Sequence, residues 1–206
     1  MNKYKNLLII TIIAVILIPV IISCQNEVSQ GVYIPDDIWM VNGKTYYAFS
    51  EAMAALESGK DSKAIDETNT IRLLRDVGEF ERGEGIVVPE SYTGEIEINL
   101  GGYEYWFQDD IEYFLEIKGG TAVNIVNGTT VISEDANIIP KALIVNTEVV
   151  KLEDQKIDDR RPTPQAIEIQ SKGIVEISSG TEISGDITVS GGGQLGVKGG
   201  SLSSSN

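Results

Sequence analysis

Two stretches carry side chains whose types and spacing suit chemistry. In the first, Tyr103, Tyr105 and Phe107 alternate with Glu104, Trp106 and Gln108, and Asp109, Asp110 and Glu112 follow. Successive strand side chains point to opposite faces, so one face here is aromatic. Exposed rings beside carboxylates suit carbohydrate, because the C–H face of a sugar stacks on a ring while its hydroxyls bond the acids. Tyr103, Tyr105, Trp106, Asp109 and Asp110 are the candidate glycan-binding residues. The plainer alternative is an aromatic core layer followed by a solvated acidic turn. Both faces cannot be buried, so Trp106 or the tyrosine pair is expected at the surface. In the second stretch, Asp158-Asp159-Arg160-Arg161 packs acids and strong cations together. Asp158, Asp159 and Arg160 are the candidate catalytic residues, since a glycosidase needs two carboxylates roughly 5–10 Å apart and Arg160 adds a strong cation beside them, although the sequence alone does not show that arrangement. Charge-rich segments are more often simply solvated.

Several chemistries are excluded. The chain has no histidine, which removes Ser-His-Asp and Cys-His catalysis and every histidine-containing metal site. No metal and no cofactor is expected. Gly191-Gly192-Gly193-Gln194-Leu195-Gly196 spells G-x-G-x-x-G. A dinucleotide site needs a helix after that motif, and Val197-Lys198-Gly199-Gly200 reads as another strand and turn. The stretch also lacks the Asp of a calcium-binding G-G-x-G-x-D repeat. The net charge of −15 disfavours nucleic acid as a partner. Asn127-Gly128-Thr129 matches a glycosylation sequon, but Asn and Gly equally suit a turn.

The N-terminus carries Lys3 and Lys5, then an apolar run from Leu7 to Ile22 interrupted by Thr11 and Pro19. That is short for a membrane span and fits the core of a secretion signal. The run ends Ile21-Ile22-Ser23-Cys24, which resembles the lipobox of bacterial lipoproteins. The resemblance implies a signal peptide over 1–23, a diacylglyceryl thioether on Cys24 and a lipid-anchored tether over 24–35. It also implies export, with the protein held to the cell membrane or outer membrane and facing outward. Cys24 is the only cysteine, so no disulfide forms within the chain and the fold must rest on burial and backbone pairing.

Residues 36–70 read as a hairpin and a capping helix. Asn42-Gly43 between apolar runs is a hairpin signal. Ser50 is expected to cap a helix over 51–58, with Gly59 as its stop. From Ile71 to residue 206, short β-branched runs recur between Gly, Asn, Ser and Asp clusters. Leu115-Glu116-Ile117, Val123-Asn124-Ile125 and Gly128-Thr129 recur 52 positions later as Ile167-Glu168-Ile169, Val175-Glu176-Ile177 and Gly180-Thr181. A further shift of 20 reaches Ile187, Val189, Leu195, Val197, Gly200 and Ser201. This predicts a parallel β-helix of about 20 residues per coil. The surplus between the first two copies is expected as a protruding loop near 134–165 that includes Glu153–Pro162. Coils this small fold only by stacking, Ile on Ile and Val on Val.

Tyr46–Ala52, Thr70-Ile71-Arg72-Leu73-Leu74-Arg75-Asp76-Val77 and Ile96-Glu97-Ile98-Asn99-Leu100-Gly101-Gly102-Tyr103 resemble the opening of pectate-lyase-like β-helix modules of bacterial surface proteins. The resemblance implies an all-β, right-handed parallel β-helix capped by a short helix. It leaves activity open, because that group spans polysaccharide enzymes, adhesins and structural domains. The first expectation is an adhesin-like, non-catalytic binding or structural module whose partner is a polysaccharide or a host or matrix surface. The second is a polysaccharide lyase or glycoside hydrolase. Nothing in the sequence caps Ser201–Asn206, so end-to-end self-association through Leu195, Val197 and Leu202 is a further expectation.

Overall fold

The structure, a computed structural model, describes residues 37–59, 69–133, 141–161 and 165–203, leaving aside the side chain of Gln165. The expected signal segment 1–23, Cys24 and the tether 24–35 lie outside the described residues.

The Asn42-Gly43 turn joins β1 (Trp39–Val41) to β2 (Lys44–Tyr46), and both turn residues have positive φ, 47° and 82°. Helix α1 (Phe49–Glu57) follows, burying Phe49, Ala52, Met53 and Leu56. Ser50 does not cap it. Ala48 is the N-cap residue, and the Glu51 carboxylate accepts from the Ala48 N–H at 3.4 Å. Ser50 lies within the first turn, where its N–H and hydroxyl bond Glu84. Gly59 ends the helix at φ 67°.

The rest is a β-solenoid with three faces. The first coil has β3 (Asn69–Leu73), a short stretch around Val77 and Gly83, and β4 (Ile86–Val88). The second has β5 (Glu95–Asn99), β6 (Glu104–Trp106) and β7 (Tyr113–Ile117). In the next two, the first and second faces are covered by single bent strands. These are β8 (Ala122–Ile132), followed by β9 (Lys141–Val145), and β10 (Val149–Asp159), followed by β11 (Gln165–Gln170). Then come β12 (Ile174–Ile177), β13 (Glu182–Ser184) and β14 (Asp186–Val189), and finally β15 (Gln194–Val197) and β16 (Ser201–Ser203). Pairing between coils is parallel throughout. Only β1 runs antiparallel to both β2 and β3, closing the N-terminal end. The third face is a separate five-stranded sheet, in the order β14-β11-β9-β7-β4.

Register gives the coil length. On the first face Ile71, Ile98, Ile125, Leu152, Ile177 and Val197 stack in one column, so successive coils take 27, 27, 27, 25 and 20 residues. The expected 20-residue coil holds only for the last one. The 52-residue identity spans two coils, and the copy between them, Ala142-Leu143-Ile144 and Val150-Lys151-Leu152, does not stand out in the sequence.

The protruding loop is therefore corrected over the residues described. Glu153–Asp159 lies within β10, paired with β8 on one side and, at Lys156 and Ile157, with β13 on the other. It reads as a loop because two of its inward positions, Gln155 and Asp159, are polar, and each makes at least one internal hydrogen bond. Gln155 donates to the carbonyl of Lys156 at 3.0 Å, and Asp159 holds Arg161, while Ile157 is apolar. Between the first two faces the chain turns at a column of left-handed residues: Asn127 (φ 59°), Asp154 (48°), Gly180 (76°) and Gly200 (83°). Asn, Asp and Gly are the residues that tolerate this conformation.

Inward residues are buried along the stack. The exception is the C-terminal end of the stack, where Val189 in β14, Val197 in β15 and Leu202 in β16 remain 45%, 53% and 47% exposed. Near the cap an aromatic row, Trp39–Tyr105–Phe107–Phe114, has centroids 5.0–5.3 Å apart. Phe49 meets Trp39 edge-on at 5.2 Å and ties α1 to this row.

Candidate functional site

The aromatic strand and the charged stretch lie on the same face. Glu104, Thr129, Lys156 and Glu182 form one outward column of the second face, and Trp106, Val131 and Asp158 form another. Trp106 is half-buried. The Arg160 guanidinium lies over its ring at 4.7 Å, and Arg160 donates through Nε and Nη2 to Asp158 Oδ2, each at 3.1 Å. Lys156 Nζ is 3.8 Å from the same oxygen, and Trp106 Nε1 donates to Glu104 Oε2 at 3.3 Å. Val131 sits between Trp106 and Asp158 and points outward, yet it is fully buried and stands apart from the core cluster. The guanidinium over the ring face restrains the indole.

The other candidates are placed differently. Tyr105 is 1% exposed and belongs to the core, so it is removed from the glycan platform. Its hydroxyl donates to the Glu84 carbonyl at 3.0 Å, and burial pushes the phenol far above its ordinary range. Tyr103 packs half-buried against the core cluster. Asp109 is ion-paired with Arg82, and Asp110 is exposed. Asp159 points inward, opposite to Asp158, because strand side chains alternate. It accepts from Arg161 Nε at 2.7 Å and Nη2 at 2.5 Å. It therefore cannot serve beside Asp158 as the second carboxylate of a glycosidase. No group of three or more acidic or thiol side chains is placed to hold a metal among the described residues.

One residue beside this site escaped the sequence reading. Val77 and Gly83 both pair with the backbone of Trp106: its N–H donates to Val77 and its carbonyl accepts from Gly83, at 2.9 and 2.7 Å. Residues 78–82 therefore loop out of the first coil opposite Trp106. The N–H groups of Glu81 and Arg82 both close on the Gly78 carbonyl at 3.1 Å, and Phe80 at the tip is 101% exposed. The only sequence signal is a lone aromatic between a glycine and charged residues, which normally reads as an ordinary turn. Next to this turn, between it and the hairpin-helix cap, lies a cleft of about 150 Å³ lined by Tyr47, Glu81, Arg82, Glu84 and Gln108.

Comparison with protein-family models, with curated proteins and with solved structures found no match.

Proposed function

We propose that the protein is a non-catalytic, adhesin-like binding module that holds carbohydrate on the outer second face of its solenoid and is carried at the cell surface by lipid on Cys24. One observation carries the binding reading: an outward indole with the Arg160 guanidinium over its ring and Glu104, Lys156 and Asp158 on the same face. A fixed aromatic with a few converging polar groups is the common chemistry of sugar-sized ligand sites. Lys156 and Arg160 balance Asp158 and Glu104 in number, so the face offers donors and acceptors to hydroxyls without a strong net charge. The catalytic alternative, a polysaccharide lyase or glycoside hydrolase, loses its carboxylate pair with the burial of Asp159. A glycan array probed with the wild type and Trp106→Ala tests the reading. The wild type is expected to bind, and loss of the ring is expected to weaken binding about tenfold or more. Equal binding by the two proteins would reject this face, and a shortened glycan recovered after incubation would favour the enzyme.

The anchor rests on the Ile21-Ile22-Ser23-Cys24 motif and its place after an apolar run. Each buried CH₂ contributes about 0.8 kcal/mol, so two or three acyl chains hold firmly where one does not. Cells expressing Cys24→Ala are expected to incorporate no palmitate analogue into the protein and to accumulate uncleaved precursor. Equal label on variant and wild type would rule the anchor out.

A further inference from the structure

We propose that the Gly78–Arg82 turn is a second stacking position of the same site, with Phe80 as its platform, so that the ligand is a chain of pyranoses covering at least two rings. This rests on the carbohydrate reading of the Trp106 face and extends it. Phe80 gains nothing from the fold: its ring has no buried surface. The turn beneath it, in contrast, is held from several sides. Arg75 grips Glu81 with two bonds of 2.5 Å. Arg82 donates from Nε to the Glu79 carbonyl at 2.8 Å, pairs with Asp109, and reaches Ser133 in the third coil. Arg82 also sits at φ 37°, a conformation unfavourable for a residue with a side chain. The turn under the ring is thus already ordered, and only the side-chain torsions of Phe80 are left to fix on binding.

Position supplies the rest. The turn emerges from the first coil directly opposite Trp106 in the second. A ligand lying along the solenoid axis would pass from Arg160 and Trp106 to Phe80, and then to the cleft beside Tyr47, itself an exposed ring. Phe80 and Tyr47 are exposed rings and Trp106 a half-buried one, carried on the cap and the first two coils, and such a succession suits a chain of sugar rings. Pyranoses with equatorial hydroxyls present apolar C–H faces for stacking and outward hydroxyls for Glu79, Glu104 and Asp158. Asp109 then acts as a positioning residue, fixing Arg82 and hence the turn, and not as a ligand contact.

The test uses the full chain and its tryptophan fluorescence. Trp39 is fully buried, so a ligand-dependent change reports Trp106. The probes are cellotetraose, xylotetraose, mannotetraose and chitotetraose, each beside its monosaccharide. The wild type is expected to bind at least one tetraose more tightly than the monosaccharide. Phe80→Ala is expected to weaken the tetraose about tenfold, equivalent to about 1.4 kcal/mol, with the melting temperature unchanged. Phe80→Trp is expected to restore tetraose binding. Equal tetraose affinity in Phe80→Ala and wild type would overturn this proposal and leave the Trp106 site standing. A wild type that binds none of the eight probes would overturn both. A Phe80-dependent response to a Lys- and Leu-rich peptide, with none to the saccharides, would assign the turn to protein docking instead.

Discussion

Replacing Asp159 with alanine is expected to destabilise the protein by about 3–5 kcal/mol. Both partners of the Asp159–Arg161 pair are shielded from water, with side-chain exposures of 0% and 5%. Asp159 accepts two side-chain bonds from Arg161 and a third from its backbone N–H at 3.2 Å. Arg161 Nη1 has no other partner among the described residues. Removing the carboxylate therefore leaves a guanidinium with neither counter-charge nor water. Breaking one half of such a pair costs far more than replacing both halves by apolar groups of similar volume. The double replacement Asp159→Leu with Arg161→Met is accordingly expected to recover most of the loss. Urea unfolding of the two variants beside the wild type measures the difference. A single variant as stable as the wild type would mean that the pair is solvated and that β10 does not end inside the stack.

Ile177→Ala is expected to cost about 2–5 kcal/mol. Ile177 is fully buried and lies in register with Leu152 before it and Val197 after it. A cavity there removes contacts on both sides, and neighbouring coils held by backbone ladders relax little to fill it. Its neighbour Glu176 points outward and bonds Lys198 at 2.8 Å, and that ammonium holds the Glu176 carboxyl below its ordinary range. The group is solvated, so Glu176→Ala is expected to melt with the wild type. Comparable losses at the two positions would contradict the inward–outward assignment of this strand.

The stacking columns were legible because their inward positions repeat: Ile117, Ile125, Ile169 and Ile177 keep their type across the coils. The hairpin was legible from Asn42-Gly43, since few residues other than Asn and Gly adopt both turn conformations. The coil length was misread for a physical reason. One coil departs from the pattern at its second-face corner, where Asp154 replaces Asn127 and Gln155 replaces Gly128. A Cβ at Gly128 would come within 2.3 Å of Leu100, whereas the next coil accommodates the whole Gln155 side chain. Sequence identity therefore skips a coil that backbone pairing includes. The same misreading kept the two candidate stretches apart. Trp106 and Arg160 are neighbours only through the register of β6, β8 and β10, which no local pattern encodes. Tyr105 and Trp106 are equally aromatic in sequence, and only the direction of one strand decides which of them faces water.

The register that brings the charged stretch to Trp106 is the claim on which the site depends, and a disulfide tests it directly. Thr129 and Lys156 are outward partners on adjacent strands, about 4.8 Å apart in the hydrogen-bonding direction. That separation falls in the Cα range that a disulfide spans, roughly 4.4–6.8 Å. Thr129→Cys with Lys156→Cys, in a Cys24→Ser background, is expected to oxidise under mild conditions to one intramolecular disulfide. Thr129→Cys with Lys151→Cys is expected to stay reduced, because Lys151 pairs with Asn124. Mass spectrometry of the cross-linked peptides reads both results. A bridge between positions 129 and 156, with none between 129 and 151, is what the structure predicts. Free thiols in the Thr129→Cys, Lys156→Cys variant would mean that the charged stretch lies off the stack, and the proposed site would fall with it.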